Sequence, residues 1–363
     1  MRINHTTPVR RALLAWFACV SLAHPVAWNR GEVQEDDLRV GLAAVDITPP
    51  VGWRLYGALY EQFSRGVHDP LTAKAVVFRQ GNETVALLIC DLCFISRKLS
   101  EQVRERAGRA TDIPSSNIIV CATHTHGGPE YDGVLRDFRH EQAIREKGRD
   151  THEPRDYFAQ LTERCVEAIV EAHAALRPAR LQVGVAQQPG MAFNRRFHMK
   201  DGTVRFNPGK MNPDIVRPAG LTDPDLPFLL MRDAGTSEPL GSLTVFAMHV
   251  ATFGNGMFGA DYPAHLENRL RKQFGDKFIS VFGEGTAGDV NHIDVSTSHP
   301  QTSDTEPARI GNALAATILK TVSKLESIQR IFISWFKFKL LWTSYRTRQC
   351  DSDNLQIKGL SRH

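Results

Sequence analysis

The sequence is short of the features that mark several common enzyme classes. It has no H-E-x-x-H, no G-x-S-x-G and no G-x-x-x-x-G-K-[ST], so the zincin, α/β-hydrolase and P-loop schemes lack their anchoring residues. An apolar-leaning stretch at residues 12–23 is too short for a mature bilayer span, which needs about 20 residues. The formal charge of +4 is small for 363 residues and is not gathered into a stripe with interleaved aromatics, which excludes a nucleic-acid surface. Six cysteines, at positions 19, 90, 93, 121, 165 and 350, form no evident disulfide framework. Cys90 and Cys93 make a C-x-x-C, but they close the apolar run 85–93 and no second pair follows at zinc-finger spacing. They read as small core residues.

What is present is an ordinary globular composition, 42% hydrophobic and 23% charged, at a length that suits one large α/β domain. At the N-terminus, Arg2, Arg10 and Arg11 precede the short apolar stretch, and Ala23 and Ala27 offer small residues for cleavage. Residues 1–27 therefore read as a signal peptide and the protein as exported: periplasmic, secreted or at the cell surface. Strand patterns run over 39–46, 73–78, 84–90, 117–122, 181–185, 243–249 and 278–282. The second and third flank Gln80-Gly81-Asn82, a hairpin signal. Helical patterns cover 99–110, 156–176, 264–274 and 306–325, while the proline-bearing stretch 191–225 reads as a long covering loop. Alternation of the two periods predicts an α/β fold, a mixed central sheet flanked by helices in one catalytic-type domain over residues 38–327. The run 117–122 is apolar throughout, as in a central strand covered on both faces. Residues 328–363 break the rhythm with an aromatic run and a basic tail, which raises a shift of reading frame as one explanation and a genuine edge strand and tail as the other.

Ligand sites in open α/β sheets gather at the carboxyl ends of strands. His124 and His126 follow the strand 117–122, and an i, i+2 pair in an extended segment points both side chains to one side. His249 ends the strand 243–249. Imidazole is a zinc ligand at neutral pH and needs carboxylates or water to complete a catalytic shell. The Gly-rich turn 283–287 leads into Asp289, Asn291 and His292, where Asp289 is placed to orient a water or a histidine. Arg195 sits in the long loop, suited to a buried carboxylate or to substrate, and Asp261 stands where a helix cap belongs.

Six segments in this order resemble the neutral, non-lysosomal ceramidase family: G-L-A-A-V-D-I-T-P-P from Gly41, G-V-H-D-P-L from Gly66, A-T-H-T-H-G-G-P from Ala122, F-N-R from Phe193, His249 after its strand, and A-G-D-V from Ala287. The resemblance covers residues 39–325 and implies a zinc amidase that cleaves the N-acyl bond of ceramide through a metal-activated water. It implies His124 and His249 as zinc ligands, His126 as a neighbour that binds or polarises the reacting groups, Arg195 as an active-site arginine, and Asp289 as support for the catalytic loop. It also implies a lipid or small-molecule substrate and peripheral membrane contact. Two departures stand out. The family's loop reads G-D-V-S-P-N with an essential serine, where this chain has Asn291 and His292. An amide cannot act as nucleophile, though it can hydrogen-bond substrate or water. The family's further glutamate and tyrosine ligands and its C-terminal β-sandwich find no counterpart after residue 325, as in a truncated member. Asp261 is one carboxylate available to fill that gap. Two alternatives follow: an inactive module that binds a lipid or glycan in the retained cleft, and a metal hydrolase of another polar substrate that recruits His292.

Overall fold

The computed structural model describes residues 38–57, 60–254, 256–301 and 304–328. The expected signal peptide and the tail from residue 329 lie outside the described residues. The first strands are β1 (Leu38–Asp46), β2 (Arg54–Leu55), β3 (Gln62–Phe63), β4 (Thr72–Gln80), β5 (Glu83–Cys90), β6 (Ile118–Ala122) and β7 (Arg177–Gln187). Then come β8 (Phe193–Asn194), β9 (Arg196–Met199), β10 (Val204–Phe206), β11 (Ile215–Pro218), β12 (Asp225–Asp233), β13 (Pro239–Phe246), β14 (Ile279–Glu284), β15 (Val290–Asn291) and β16 (Glu326–Ile328). The helices are α1 (Arg97–Thr111), α2 (Val134–Lys147), α3 (Tyr157–Ala174), α4 (Tyr262–Phe274) and α5 (Glu306–Thr321). None is long and apolar enough to cross a membrane.

The predicted hairpin forms: Gln80 pairs with Glu83 across Gly81-Asn82, and β4 and β5 stay in register back to Ala73 and Cys90. Ser96 caps α1 by accepting from the Leu99 N–H, and Leu99, Val103 and Ala107, four residues apart, bury one stripe. Asp156 caps α3 in the same way, over Leu161, Cys165, Ala168 and Ile169. These two stripes pack on β1, β4 and β5, whereas α4 and α5 cover β12 and β13 with Leu266, Leu270, Ile310 and Leu314.

Nine of these strands form one mixed sheet, ordered β14-β13-β12-β7-β1-β4-β5-β6, with β16 beside β7. Only β5–β6 and β13–β14 are parallel within it. β1 meets β7 through just two residue pairs, Arg39 with Pro178 and Val40 with Arg177. At that narrow seam the sheet folds on itself. Val40, Val76, Phe78 and Ile89 from one half then form a third core with Leu181, Met231 and Val281 from the other. The result is helices, sheet, sheet, helices. Deep in it, Lys74 of β4 donates to Glu267 of α4 (2.6 Å) and to the Ser280 carbonyl of β14 (3.1 Å).

Three expectations change in detail. β6 is the last strand in hydrogen-bonding order, and its apolar character comes from the folding of the sheet, which places Val120 and Ala122 against the outer core and Cys121 against the inner one. β13 stops at Phe246, opposite Glu284, where the Gly285 N–H donates to the Phe246 carbonyl as the last bond of the ladder. His249 therefore lies beyond the strand. The stretch 191–225 is not plain loop: β9, β10 and β11 make a small antiparallel sheet in it, and β8 pairs with β15.

Candidate metal centre

Both parallel pairs send their carboxyl ends to one place. The segment after β5 supplies Cys93, the one after β6 supplies His124 and His126, the one after β13 supplies His249, and β14 ends on Glu284. His124 does not sit in an extended segment as its spacing suggested; its φ of +66° is left-handed, unusual for a histidine. That turn aims its ring at the Cys93 carbonyl, which accepts from Nδ1 at 2.6 Å. The His126 N–H donates to the Val250 carbonyl (3.0 Å), and the Thr125 hydroxyl donates to the Gly259 carbonyl (2.7 Å), tying the histidine loop to the His249 segment. Gly127 lies so near Gly259 that a Cβ there would stand 2.5 Å from the Gly259 oxygen. Gly57, at φ +103°, leaves room for the His126 ring, whose atoms a Cβ would meet at 2.7 Å.

The three rings converge, with centroids 4.4 Å apart for His124 and His249 and 5.1 Å for each with His126. The decisive contact is between nitrogens: His124 Nε2 lies 3.0 Å from His249 Nε2. A carbonyl oxygen has no hydrogen to give, so His124 Nδ1 carries its proton toward Cys93 and His249 Nδ1 carries its own toward Ala287, 3.1 Å away. In the neutral rings both Nε2 atoms then present lone pairs to each other. Two facing lone pairs repel unless a cation lies between them, and a backbone carbonyl on the far nitrogen is how metal-ligating imidazoles are held. Burial holds His249 neutral, pushing it down to about 4 despite the Ala287 contact. Burial also pushes His126 down to about 4, assisted by the two neighbouring rings and Arg195.

Glu284 completes the set. One of its carboxylate oxygens and one ring nitrogen from each of His124 and His249 lie within 4.8 Å of one another. Its Oε1 is buried without a hydrogen-bond partner, and burial pushes the carboxyl up to about 7 against the pull of Arg195. This unsatisfied oxygen and the two facing nitrogens fit a divalent cation bound by nitrogen and oxygen. In the sequence Glu284 is hidden within a glycine-rich turn; its signal is a carboxylate closing an apolar strand. Cys93 is buried as expected, yet it also touches the centre, its sulfur 3.6 Å from His124 Nδ1. Burial pushes its thiol up to about 12, so it serves through its carbonyl. Cys90 is an ordinary core thiol, 3.6 Å from Cys165.

The remaining candidates fall into two groups. Arg195 stacks on Phe206 (4.5 Å), donates from Nη2 to the Gly288 carbonyl (2.7 Å), and keeps its Nε buried with no partner. Asp289 accepts from Asn194 Nδ2 (2.9 Å) and, through its carbonyl, from the Arg195 N–H (2.8 Å), so it orders the arginine loop and not a histidine. Asn291 spends its amide on Asn207 (3.2 Å) and the Ile293 N–H (3.0 Å), although the carbonyl before it, that of Val290, accepts from the His249 N–H. His292 turns away: its Nε2 donates to the Gln301 carbonyl at 2.6 Å, outside the histidine cluster. Asp261 also lies elsewhere, a fully buried cap on α4 whose oxygens take the Thr252 and Tyr262 N–H groups and the Thr252 hydroxyl. It does not fill a ligand position in the histidine cluster. A separate polar cleft of about 520 Å³ opens beside α2, lined by Lys98, Tyr131, Arg136, His140 and Glu153 among others; His124, His126 and His249 do not line it.

Residues 38–305 match the family described as neutral/alkaline non-lysosomal ceramidase, N-terminal. The chain belongs to that family. It is 27% identical over 273 residues to a neutral ceramidase of Pseudomonas aeruginosa, covering 70% of this chain and 37% of that protein. Neutral ceramidase A of Dictyostelium discoideum is 22% identical over 284 residues, 71% of this chain and 36% of that one. Over 168 residues it is 28% identical to a neutral ceramidase of Mycobacterium tuberculosis, 44% of this chain and 25% of that one. The chain thus spans well under half the length of these relatives. The ceramidase fold is shared with the crystal structure of the P. aeruginosa enzyme, at TM-score 0.61 and 20% identity over 78% of this chain and 44% of that one. A structure of a ceramidase complexed with C2 matches at TM-score 0.58 and 21% identity, covering 78% of this chain and 43% of that one.

Proposed function

We propose that this chain is a zinc-dependent hydrolase of the N-acyl amide bond of ceramide or a related acylated amine. The observation that carries this reading is the pair of Nε2 atoms facing each other at 3.0 Å, each ring with its other nitrogen on a backbone carbonyl. Membership of the ceramidase family supports the substrate class. His124, His249 and Glu284 would hold the ion, which when bound supplies a Lewis acid and a water of lowered pKa.

The protein's own groups supply the rest. His126, kept neutral by burial, is able to take a proton at the ring nitrogen that does not face Gly57, and so to pass one to a leaving amine. Arg195 presents an unpartnered Nε–H suited to the acyl oxygen as negative charge gathers there. Asp289 holds the arginine loop through Asn194, and Asn291 orders the strand carrying the Val290 carbonyl that supports His249. On the same reading residues 1–27 direct export, residues 38–327 form the catalytic domain, and a lipid substrate brings peripheral membrane contact.

The test is release of fatty acid from a short-acyl ceramide by the full chain, beside His249→Ala and His126→Ala. Turnover that falls at least 100-fold in both variants supports the reading. Zinc-loaded wild type that binds this lipid without cleaving it would replace the hydrolase with a binding module.

A further inference from the structure

A second cluster of metal-ligand type lies apart from the histidine centre and shares no residue with it. His68 and Asp69 lie between β3 and β4, and His265 sits in the first turn of α4. One ligand atom from each falls within 4.8 Å of the other two. Asp69 Oδ2 stands 2.8 Å from His68 Nδ1, and the Phe253 ring walls the site 4.8 Å from the His68 ring. His265 carries the independent signal: its Nε2 is buried with no hydrogen-bond partner among the described residues. A buried ring nitrogen left unsatisfied costs stability, so such a nitrogen beside a carboxylate and a second imidazole needs an occupant.

We infer that His68, Asp69 and His265 form a second divalent-cation site, selective for zinc-like first-row ions. Two nitrogens and one carboxylate oxygen suit that class, whereas calcium and magnesium favour all-oxygen shells. The site braces the chemistry from behind. His68 donates its N–H to the Phe258 carbonyl (2.8 Å), and the Phe258 N–H returns to Gly66 (2.9 Å). The neighbouring Gly259 accepts from the Thr125 hydroxyl (2.7 Å) and donates to the Gly127 carbonyl (3.1 Å), the two residues that flank His126. A cation joining His68 and Asp69 to α4 therefore fixes the segment Phe258–Gly259, against which the histidine loop leans. The inference does not depend on the amidase reading.

The test uses the full chain with His124→Ala/His249→Ala as background, so the first centre is disabled. After equilibration with zinc sulfate and dialysis, metal is counted by mass spectrometry and unfolding followed by circular dichroism. The background variant is expected to retain about one zinc per chain and to melt at higher temperature with zinc than with chelator. Adding His265→Gln, or separately the isosteric Asp69→Asn, removes both the zinc and the shift. Two substitutions guard against one that fails to fold. A folded background variant without zinc, or zinc unchanged in both added variants, overturns the second site. If the histidine centre never held metal, wild type and background bind equal zinc, and the effect of His265→Gln still decides the question.

Discussion

Glu267→Gln removes the carboxylate from the buried pair that joins β4 to α4. Lys74 and Glu267 meet at 2.6 Å with side chains only 10% and 9% exposed. With glutamine there the ammonium keeps only neutral acceptors, the amide oxygen and the Ser280 carbonyl, and a more distant Asp91. Stranding a buried charge costs about 3–5 kcal/mol against a total stability of about 5–15 kcal/mol. At roughly 2–4 °C per kcal/mol for a domain of this size, Tm falls by roughly 6–20 °C. Lys74→Met is milder, about 1–3 kcal/mol, because Glu267 retains the Ser280 N–H and Arg271 Nη2, each at 3.1 Å. Urea unfolding of the wild type, both single variants and the double variant closes a cycle in which the coupling reaches about 2 kcal/mol. Additivity within about 0.5 kcal/mol, or Lys74→Met as costly as Glu267→Gln, would refute the reasoning.

Other expectations follow from the same geometry. Glu284→Gln is expected to weaken zinc binding at the histidine centre at least tenfold, read by competition with a chromophoric chelator; unchanged affinity removes Glu284 from the ligand set. Gly57→Ala forces a Cβ into the His126 ring at a φ that side chains disfavour, so amide turnover drops at least tenfold while zinc content holds; intact turnover would mean His126 is not used in place. Asp150 should mark the acid limb of stability. Burial raises its carboxyl, but hydrogen bonds from Arg54, the His152 N–H and His140, with the Arg54 charge, outweigh that and hold it below the ordinary value. The folded form thus stays ionised where the unfolded chain has taken a proton, so this contribution is full above about pH 4 and lost as pH falls through the folded value. In Asp150→Asn the midpoint of urea unfolding drops less steeply on acidification than in wild type; parallel curves would contradict the assignment.

Many of the elements were readable because their signals are local, whereas α2 and β12 were not read. Asp156 announces a helix start, Gly81-Asn82 announces the hairpin, and the amphipathic pattern of α1 announces its buried face. What escaped depends on contacts between distant segments. The apolar run of β6 looked like a central strand, because folding the sheet back on itself covers an edge strand on both faces. The histidines stood out by type and spacing, whereas Glu284 became visible only when β13 and β14 paired in parallel and ended together. Asp261 and His292 looked equally eligible in the sequence. The fold spends Asp261 on capping α4 and turns His292 toward Gln301. Of the motifs that carried the family resemblance, G-V-H-D-P-L lies outside the histidine centre, and its His68 and Asp69 belong to the second cluster.

The account rests on the facing Nε2 atoms of His124 and His249 being the two nitrogen ligands of one zinc ion. The most direct test is the zinc content of the purified full chain beside His124→Ala and His249→Ala, counted by mass spectrometry after dialysis. The account predicts that each variant, still folded, carries one zinc fewer per chain than wild type. Equal zinc in all three proteins would contradict it.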